Sequence, residues 1–202
     1  MVTLKRMFAR DGVKMFGKKS ESGYPGSFPV GFLDWIRREL GVWGEKRCYL
    51  CCGAVQDWDS TRVDIQLTID EEVRGRKGNR KQVRTYDTTA NVICDARDTK
   101  LAAESFDWVM IDPPYSKQLA EELYGTEEYF SQLNDFVKEA YRLLKPGGFI
   151  LTLAYHVPSL PDGCSGWGIY GIYQIPQTRY MSALTILQKD GENDLQGLGR
   201  WI

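Results

Sequence analysis

Five residues of this sequence stand where apolar runs end, and their types suit ligand binding. In chain order they are Gly53, Asp64, Asp95, Asp112 and His156. Carboxylates at successive strand ends suit a nucleoside, because one can accept hydrogen bonds from ribose hydroxyls while another lies beside the adenine. A single Asp in such a position can equally cap the helix that follows it. Three of them in strand order favour a nucleoside ligand.

The most specific motif is a tetrapeptide that directly follows the fourth apolar run, namely Asp112-Pro113-Pro114-Tyr115. Asp-Pro and Pro-Pro are common loop dipeptides, so a plain turn is the alternative interpretation. The prolines keep the backbone extended and its carbonyls outside any helix. The position of the motif, at the end of the fourth of five ordered strands, favours a catalytic role over a turn.

Alternating helix and strand patterns must position these residues. Apolar spacing predicts amphipathic helices over residues 31–43 and 129–144. Continuous apolar runs predict buried strands over residues 47–55, 61–65, 90–96, 106–111 and 149–155, and a closing hairpin over residues 169–175 and 181–188. The expected fold class is α/β, with a mostly parallel central sheet and an antiparallel hairpin at its edge.

The composition fits one domain that is soluble and cytoplasmic. A length of 202 residues with 43% hydrophobic residues supports one core and excludes a disordered chain. No run approaches the roughly 18 apolar residues that span a membrane, and the first residues lack the apolar stretch of a secretory signal. Five cysteines, three of them in one apolar run, predict reduced thiols rather than a disulfide framework.

The net charge of −1 excludes a histone-like polycation, so any contact with nucleic acid needs a local basic patch. We expect residues 1–30 to form a basic arm or lid ahead of a single domain over residues 31–202. An insertion over residues 66–88 carries a second basic cluster, which has the footprint expected for phosphate contacts. A solvated hairpin tip is the alternative. The cluster consists of Arg74, Arg76, Lys77, Arg80, Lys81 and Arg84.

The tetrapeptide resembles the Asp/Asn/Ser-Pro-Pro-Tyr/Phe/Trp motif of class I S-adenosylmethionine-dependent methyltransferases that modify exocyclic amino groups of nucleic-acid bases. The resemblance covers roughly residues 24 to 190 and implies a Rossmann-like fold. It implies that S-adenosyl-L-methionine is the cofactor, with the segment from Tyr24 to Pro29 at its methionine end, Asp64 at its ribose and Asp95 at its adenine. The cofactor residues implied by the resemblance are Pro25, Phe28, Cys52, Gly53, Ala54, Asp64, Asp95, Ala96 and Asp112.

The same resemblance implies direct methyl transfer by the motif Asp112-Pro113-Pro114-Tyr115. An amino nitrogen conjugated with a base ring is a poor nucleophile, and two hydrogen-bond acceptors, the Asp112 carboxylate and the Pro113 carbonyl, would localise its lone pair. Tyr115 could stack on a base turned out of its strand. The leading hypothesis is adenine N6 in DNA. The alternatives are cytosine N4 in DNA, guanine N2 or adenine N6 in RNA, and an inactive cofactor-binding subunit. Methylation of a small molecule or a protein is a further alternative, but it predicts no use for the basic insertion.

Several positions depart from the family pattern or have a weaker interpretation. Tyr49 and Val55 stand where the family has an acid and a second glycine, and the short link from Gly53 to Asp64 predicts a truncated βα unit, with Asp70 as a second candidate for the ribose acid. His156 more readily makes a strand-end hydrogen bond than it shapes a base pocket.

No metal site is expected, because Cys48-x-x-Cys51 has no second Cys or His pair after it. No block of ordinary domain size is left over for recognising a target sequence. Specificity is therefore expected to be loose, or to come from a partner protein or a homodimer.

Overall fold

The computed structural model of the protein describes residues 10–16, 28–40, 42, 44–74, 81–114, 116–117, 133–174 and 181–191. Its helices are α1 (Phe32–Glu39) and α2 (Leu133–Leu143). Its strands, in chain order, are β1 (Arg10–Phe16), β2 (Arg47–Leu50), β3 (Thr61–Asp64), β4 (Thr68–Arg74), β5 (Lys81–Asp87), β6 (Val92–Ile93), β7 (Phe106–Ile111), β8 (Leu144–Ala154), β9 (Cys164–Gln174) and β10 (Ser182–Lys189).

Eight of the described strands form one sheet in the order β1-β9-β10-β8-β7-β2-β3-β6. The strands from β8 to β6 in that order are parallel to one another, whereas β10 is antiparallel to both β8 and β9. The prediction of a mostly parallel sheet with one antiparallel hairpin is confirmed. The chain moves outward from β2 to β3 and β6, then returns to β7 on the other side of β2. Ligands bind at such a switch point in open α/β sheets.

The two helices cover opposite faces of the sheet. Because successive strand residues point to opposite faces, the buried residues divide into two clusters. Tyr49 and Trp108 pack in the cluster that contains α1, whereas their neighbours Cys48 and Val109 pack in the cluster that contains α2. The helix residues of the two clusters are Phe32, Trp35 and Ile36 of α1 and Leu133, Phe136, Val137, Ala140 and Leu143 of α2.

The expectation that the closing hairpin lies at the sheet edge is wrong. β10 lies between β8 and β9, and four successive residues from Leu184 to Leu187 are buried, as expected for a strand that is covered on both faces. β1 pairs in parallel with β9 from Arg10 to Phe16 and forms the outer strand. Part of the predicted basic arm therefore belongs to the sheet. The rest of that arm, residues 1–9 and 17–27, lies outside the described residues.

The basic insertion forms a hairpin. β4 and β5 pair antiparallel in a two-stranded sheet of their own, from the pair Thr68 and Asp87 to the pair Arg74 and Lys81. Arg84 also lies on β5. The predicted phosphate contacts at the tip, Arg76, Lys77 and Arg80, lie outside the described residues.

Candidate active site

The ends of β2 and β7 meet at the switch point. The backbone N–H of Asp112 donates to the carbonyl of Leu50 at 3.3 Å, so the proline motif begins beside the last residue of β2. Asp112 and Pro114 are half-buried, and Pro113 is buried. Tyr115 lies outside the described residues. Two of the five predicted strand ends therefore meet at one position.

The turn after β2 is left-handed. Cys51 has φ 59° and Gly53 has φ 51°. A left-handed conformation costs a residue with a side chain roughly 1–2 kcal/mol, and only glycine adopts it freely. The turn is held to β3, because the N–H of Cys52 donates to the carbonyl of Val63 at 2.9 Å. Strain of this kind at a non-glycine residue is common at functional sites.

Asp64 organises this turn. Its carboxylate is 5% exposed and accepts the N–H of Gly53 and the N–H of Ile65, each at 2.8 Å. Burial raises the pKa of Asp64 above its ordinary value, and the hydrogen bonds from Gly53 and Ile65 oppose that rise. The Cys52 thiol and the N–H of Gln66 also hydrogen-bond to Asp64 and oppose that rise, so the carboxylate is held by donors on both sides of the turn. Asp70, the second candidate for the ribose acid, lies on β4 of the hairpin.

Asp95 forms an ion pair that the sequence analysis missed. The Arg97 side chain donates to Oδ1 at 2.8 Å through Nε and to Oδ2 at 2.5 Å through Nη2. These hydrogen bonds from Arg97 hold the pKa of Asp95 below its ordinary value. The sequence feature that could have indicated this ion pair is the Arg two residues after the acid. Ala96, between them, is buried.

The predicted acids lie at or just beyond the carboxyl ends of β3, β6 and β7, which belong to one parallel part of the sheet. The pKa of the Cys51 thiol is raised, first by burial and then by the negative charges of Asp64, Asp112 and Asp95. These three carboxylates come from the ends of three different apolar runs in the sequence. The structure therefore brings them to one edge of the sheet, as their positions at strand ends predict.

A cavity of about 450 Å³ lies between the start of α1 and the residues that follow the turn after β2. Phe28 and Ala54, which the sequence analysis assigned to the cofactor, both line it. Asp34 and Arg37 of α1 add one negative and one positive charge to its wall. Pro25 lies outside the described residues. The remaining lining residues are Pro29, Val30, Gly31, Phe32, Leu33, Val55 and Gln56.

The β2–β3 loop, residues 51–60, contains no helix, which confirms the predicted truncation of the first βα unit. A buried carboxylate fixes the loop instead. Asp57 accepts Nη2 of Arg37 at 2.8 Å, Nε of Arg47 at 2.7 Å and the hydroxyl of Tyr49 at 2.8 Å. Tyr49 stands where the family pattern has an acid, and its hydroxyl bonds to a carboxylate that the loop supplies. Asp57 was not predicted from the sequence, because the donors that mark its role come from a helix and a strand and are 8 to 20 residues away in the chain.

Arg62 and Thr89 fix the same loop from β3 and from the segment before β6. The buried Arg62 guanidinium donates to the carbonyl of Asp57 and to the carbonyl of Thr89, each at 2.6 Å. The N–H of Thr89 donates to the carbonyl of Gly53 at 2.8 Å. The backbone around Gly53 is therefore held from both sides.

His156 is exposed just beyond the end of β8. All five cysteines are free thiols, as predicted. Within the described ranges, no group of three His, Cys, Asp or Glu residues could hold a metal ion. The helices described here are all too short or too polar to cross a membrane.

In the part of the chain that the structure describes, a mostly parallel sheet has a helix on each face and carboxylates at the carboxyl ends of its strands, which is the Rossmann-like class I methyltransferase fold. The sequence matches the family described as "Methyltransferase domain" over residues 43–152, which is more than half of the chain. The chain belongs to that family. No curated protein matches it significantly.

Several solved structures are similar to this chain. The Escherichia coli protein yhhF is 12% identical, with a TM-score of 0.49 over 84% of this chain and 91% of its own. TrmN from Thermus thermophilus is 17% identical, with a TM-score of 0.47 over 78% of this chain and 47% of its own. The T. thermophilus 16S rRNA N2 G1207 methyltransferase RsmC, solved with AdoMet and guanosine, is 13% identical, with a TM-score of 0.39 over 84% of this chain and 41% of its own. The chain spans about half the length of several structures that it matches.

Proposed function

We propose that this protein transfers a methyl group from S-adenosyl-L-methionine to an exocyclic amino nitrogen of a nucleic-acid base, and that the base is adenine, methylated at N6, in DNA. The observation that carries the proposal is the contact between the N–H of Asp112 and the carbonyl of Leu50. Because of this contact, the Asp112-Pro113 acceptors and the turn before the cavity share one edge of the sheet. A methyl donor and an amino acceptor would have to meet at such an edge.

The cavity suits the methionine end of the cofactor. Its volume of about 450 Å³ falls within the usual range for small-molecule sites, roughly 300–1,000 Å³. The α-amino group of the cofactor would lie near Asp34, and its α-carboxylate would lie near Arg37, so that each charge has an opposite partner. A guanidinium has five N–H donors, so Arg37 can bind a carboxylate while it also binds Asp57. Phe28 and Ala54 would contact the apolar part of the chain.

The rest of the cofactor would follow the strand ends. Gly53 permits close backbone approach, Asp64 would accept the ribose hydroxyls, and Asp95 with Ala96 would lie beside the adenine. When bound, S-adenosylmethionine supplies an electrophilic methyl group on a sulfonium. The carboxylates around Cys51 give the electrostatic surroundings that a cation favours.

The acceptor groups act on the amine. The Asp112 carboxylate and the Pro113 carbonyl would accept hydrogen bonds from its two N–H groups, which would localise the nitrogen lone pair toward the methyl group. The new N–C bond would form as the methyl–sulfur bond of the cofactor breaks, with S-adenosylhomocysteine as the leaving group, and the methylated nitrogen would then lose one proton to solvent. Because proline fixes φ and cannot donate a backbone hydrogen bond, Pro113 and Pro114 hold the chain extended with its carbonyls available. Orientation and preorganised charge then supply most of the rate enhancement, and no covalent intermediate is needed.

The β4–β5 hairpin is the proposed contact with DNA phosphates. Its two ends are tied beside the site, because the N–H of Thr88 donates to the carbonyl of Leu67 at 2.7 Å and the next residue, Thr89, bonds Gly53. A basic hairpin anchored there can hold the nucleic-acid backbone while a base enters the site. Phosphate contacts position a protein without reading sequence, so recognition of a target sequence by a partner or a second copy remains part of the proposal.

Transfer of labelled methyl groups to unmethylated double-stranded DNA, single-stranded DNA and total RNA, followed by nucleoside mass spectrometry, tests the proposal. We expect N6-methyladenine in DNA. N4-methylcytosine in DNA would mean that the target base is cytosine, and label in RNA alone would mean that the substrate is RNA. No label in any pool, with cofactor binding intact by calorimetry, would favour an inactive subunit.

A further inference from the structure

Both ends of the β4–β5 hairpin are attached to one residue of the turn after β2, Gly53. Just before the hairpin, Asp64 accepts the N–H of Gly53 and the N–H of Ile65, each at 2.8 Å. Just after the hairpin, the N–H of Thr89 donates to the carbonyl of Gly53 at 2.8 Å. The two backbone polar groups of this glycine are therefore bonded to the segments that lead into and out of the hairpin.

The base of the hairpin is closed by side-chain and backbone contacts. The N–H of Thr88 donates to the carbonyl of Leu67 at 2.7 Å, and the Thr88 hydroxyl donates to the carbonyl of Gln66 at 3.0 Å. Pairing of β4 with β5 begins at the next residue on each side. Thr89 directly follows this closed base, so its position depends on that of the hairpin.

Thr89 engages all three of its polar groups in contacts around the turn. Besides the N–H bond to Gly53, its hydroxyl donates to the carbonyl of Val55 at 2.6 Å, and its carbonyl accepts Nε of Arg62 at 2.6 Å. Gly53 and Val55 flank Ala54, which lines the cavity proposed for the cofactor. One residue at the end of the hairpin thus holds the backbone on both sides of a cofactor-binding position.

We propose that Thr89 is a positioning residue that couples the hairpin to the cofactor site, so that nucleic acid held by β4 and β5 and cofactor bound at the turn each raise the affinity for the other. This inference rests on the proposed function and deepens it. A ligand that holds the hairpin also holds the carbonyls of Gly53 and Val55, which leaves less ordering for a second ligand to bring about. Such coupling is reciprocal, because the two affinities belong to one thermodynamic cycle.

Calorimetry of S-adenosylhomocysteine, with and without a saturating unmethylated DNA duplex, measures the coupling in the absence of turnover. We expect the wild-type protein to bind this compound about 5-fold or more tightly when DNA is present. Thr89→Val keeps the backbone bonds and the shape of the side chain but removes the hydroxyl bond to Val55. It should bring the factor to about 2 or less, since one hydrogen bond corresponds to roughly 5-fold in an equilibrium constant.

Two further variants separate coupling from stability. Thr89→Ser keeps the hydroxyl and should keep the coupling. Thr99→Val removes a buried hydroxyl that donates to Glu139 of α2 at 2.6 Å, on the other face of the sheet, and should lower stability without changing the ratio of the two affinities. A wild-type protein that binds DNA and S-adenosylhomocysteine independently, or a Thr89→Val variant with the full wild-type factor, would overturn the inference.

Hydrogen exchange follows the same link without nucleic acid. The amides of Thr88 and Thr89 donate across the base of the hairpin and to Gly53, so their exchange rates report these two bonds. S-adenosylhomocysteine alone should slow the exchange of both amides in the wild type, and slow it less in Thr89→Val. Exchange that is unchanged by the compound in the wild type would also overturn the inference.

The inference and the proposed function fail separately. Methylation of DNA by a protein whose affinity for S-adenosylhomocysteine is the same with and without DNA would overturn the coupling and leave the proposed function intact. Protection of the hairpin amides that depends on Thr89, in a protein that methylates no base, would support the link to the cofactor site and count against the proposed transfer.

Discussion

Asp57 accepts a hydrogen bond from the Arg37 guanidinium at 2.8 Å, and this contact joins the two walls of the cavity. Arg37 belongs to α1, and Asp57 belongs to the loop that begins at the turn after β2. Arg47 and Tyr49 donate to the same carboxylate from β2. One buried acid therefore sets the separation between α1 and the β2–β3 loop, which together would hold the methionine end of the cofactor.

The first prediction separates this positioning role from ordinary stabilisation. Asp57→Asn removes the charge that three donors share, and we expect it to lower stability by about 1–3 kcal/mol and to weaken cofactor binding several-fold. The matched control is Glu139→Gln. Glu139 is also buried and accepts Thr99 and Arg142, but it lies on α2, on the other face of the sheet.

Urea unfolding and calorimetry of S-adenosylmethionine on both variants check this prediction. Glu139→Gln should lower stability by a similar amount and leave cofactor affinity unchanged. Equal losses of affinity in the two variants would mean that Asp57 acts only through overall stability.

The second prediction concerns acid. Burial by itself would raise the pKa of Asp57, but the hydrogen bonds from Arg47 and Tyr49 and the positive charges of Arg37 and Arg47 together outweigh burial and hold the pKa below its ordinary value. A depressed carboxyl pKa stabilises the fold above the unfolded value, about 3.9, and this stabilisation is lost as the pH falls through the folded value. The difference in stability between wild type and Asp57→Asn should be constant from neutral pH to about pH 5 and shrink below about pH 4. Urea midpoints across this range measure it, and an undiminished difference in strong acid would contradict the assignment.

The third prediction uses the left-handed backbone at Cys51. An alanine there keeps the strain of φ 59°, whereas a glycine relieves it. Cys51→Gly should therefore be more stable than Cys51→Ala by about 0.5–1 kcal/mol. Cys48 lies three residues earlier within β2 and is the control, because Cys48→Gly should be less stable than Cys48→Ala. The same order of stability at both positions would show that the strain is absent.

The fourth prediction concerns the basic hairpin. Replacing Arg76, Lys77, Arg80 and Lys81 with Ala should weaken DNA binding and flatten its dependence on salt, by roughly 0.9 in the logarithmic slope for each phosphate that the variant no longer neutralises. Lys100 and Lys138 are exposed and paired with Asp98 and Asp135, and their replacement with Ala should leave the slope unchanged. Equal slopes for the wild type and the hairpin variant would remove the hairpin from the interface.

The strands and helices could be predicted from the sequence where the pattern of apolar residues alone determines them. β3 and β7 match their apolar runs closely, because both faces of these strands are covered. The run over residues 90–96 yields only the two-residue strand β6, since it pairs with β3 at Val63 and Asp64 alone. β1 was missed, because its sequence is polar and its pairing partner, β9, lies more than 150 residues away in the chain.

The residues of the candidate site also fall into two groups, those that the sequence identifies and those that only the tertiary structure identifies. Strand-end carboxylates could be found from sequence, since each directly follows an apolar run. The partners that fix them could not, because these depend on tertiary contacts. Asp57 and Arg62 reach the β2–β3 loop from elements whose positions no local pattern encodes.

The most direct test of the central claim compares wild type with Asp112→Ala in methyl transfer and in cofactor binding, on the same preparations. The wild-type protein should form N6-methyladenine in DNA. The variant should form none while keeping most of its affinity for S-adenosylmethionine, because the main partner of the Asp112 carboxylate is the amine and Asp64 and Asp95 remain beside the cofactor. An Asp112→Ala variant that still methylates adenine, or one that loses cofactor affinity along with transfer, would contradict this account of the site.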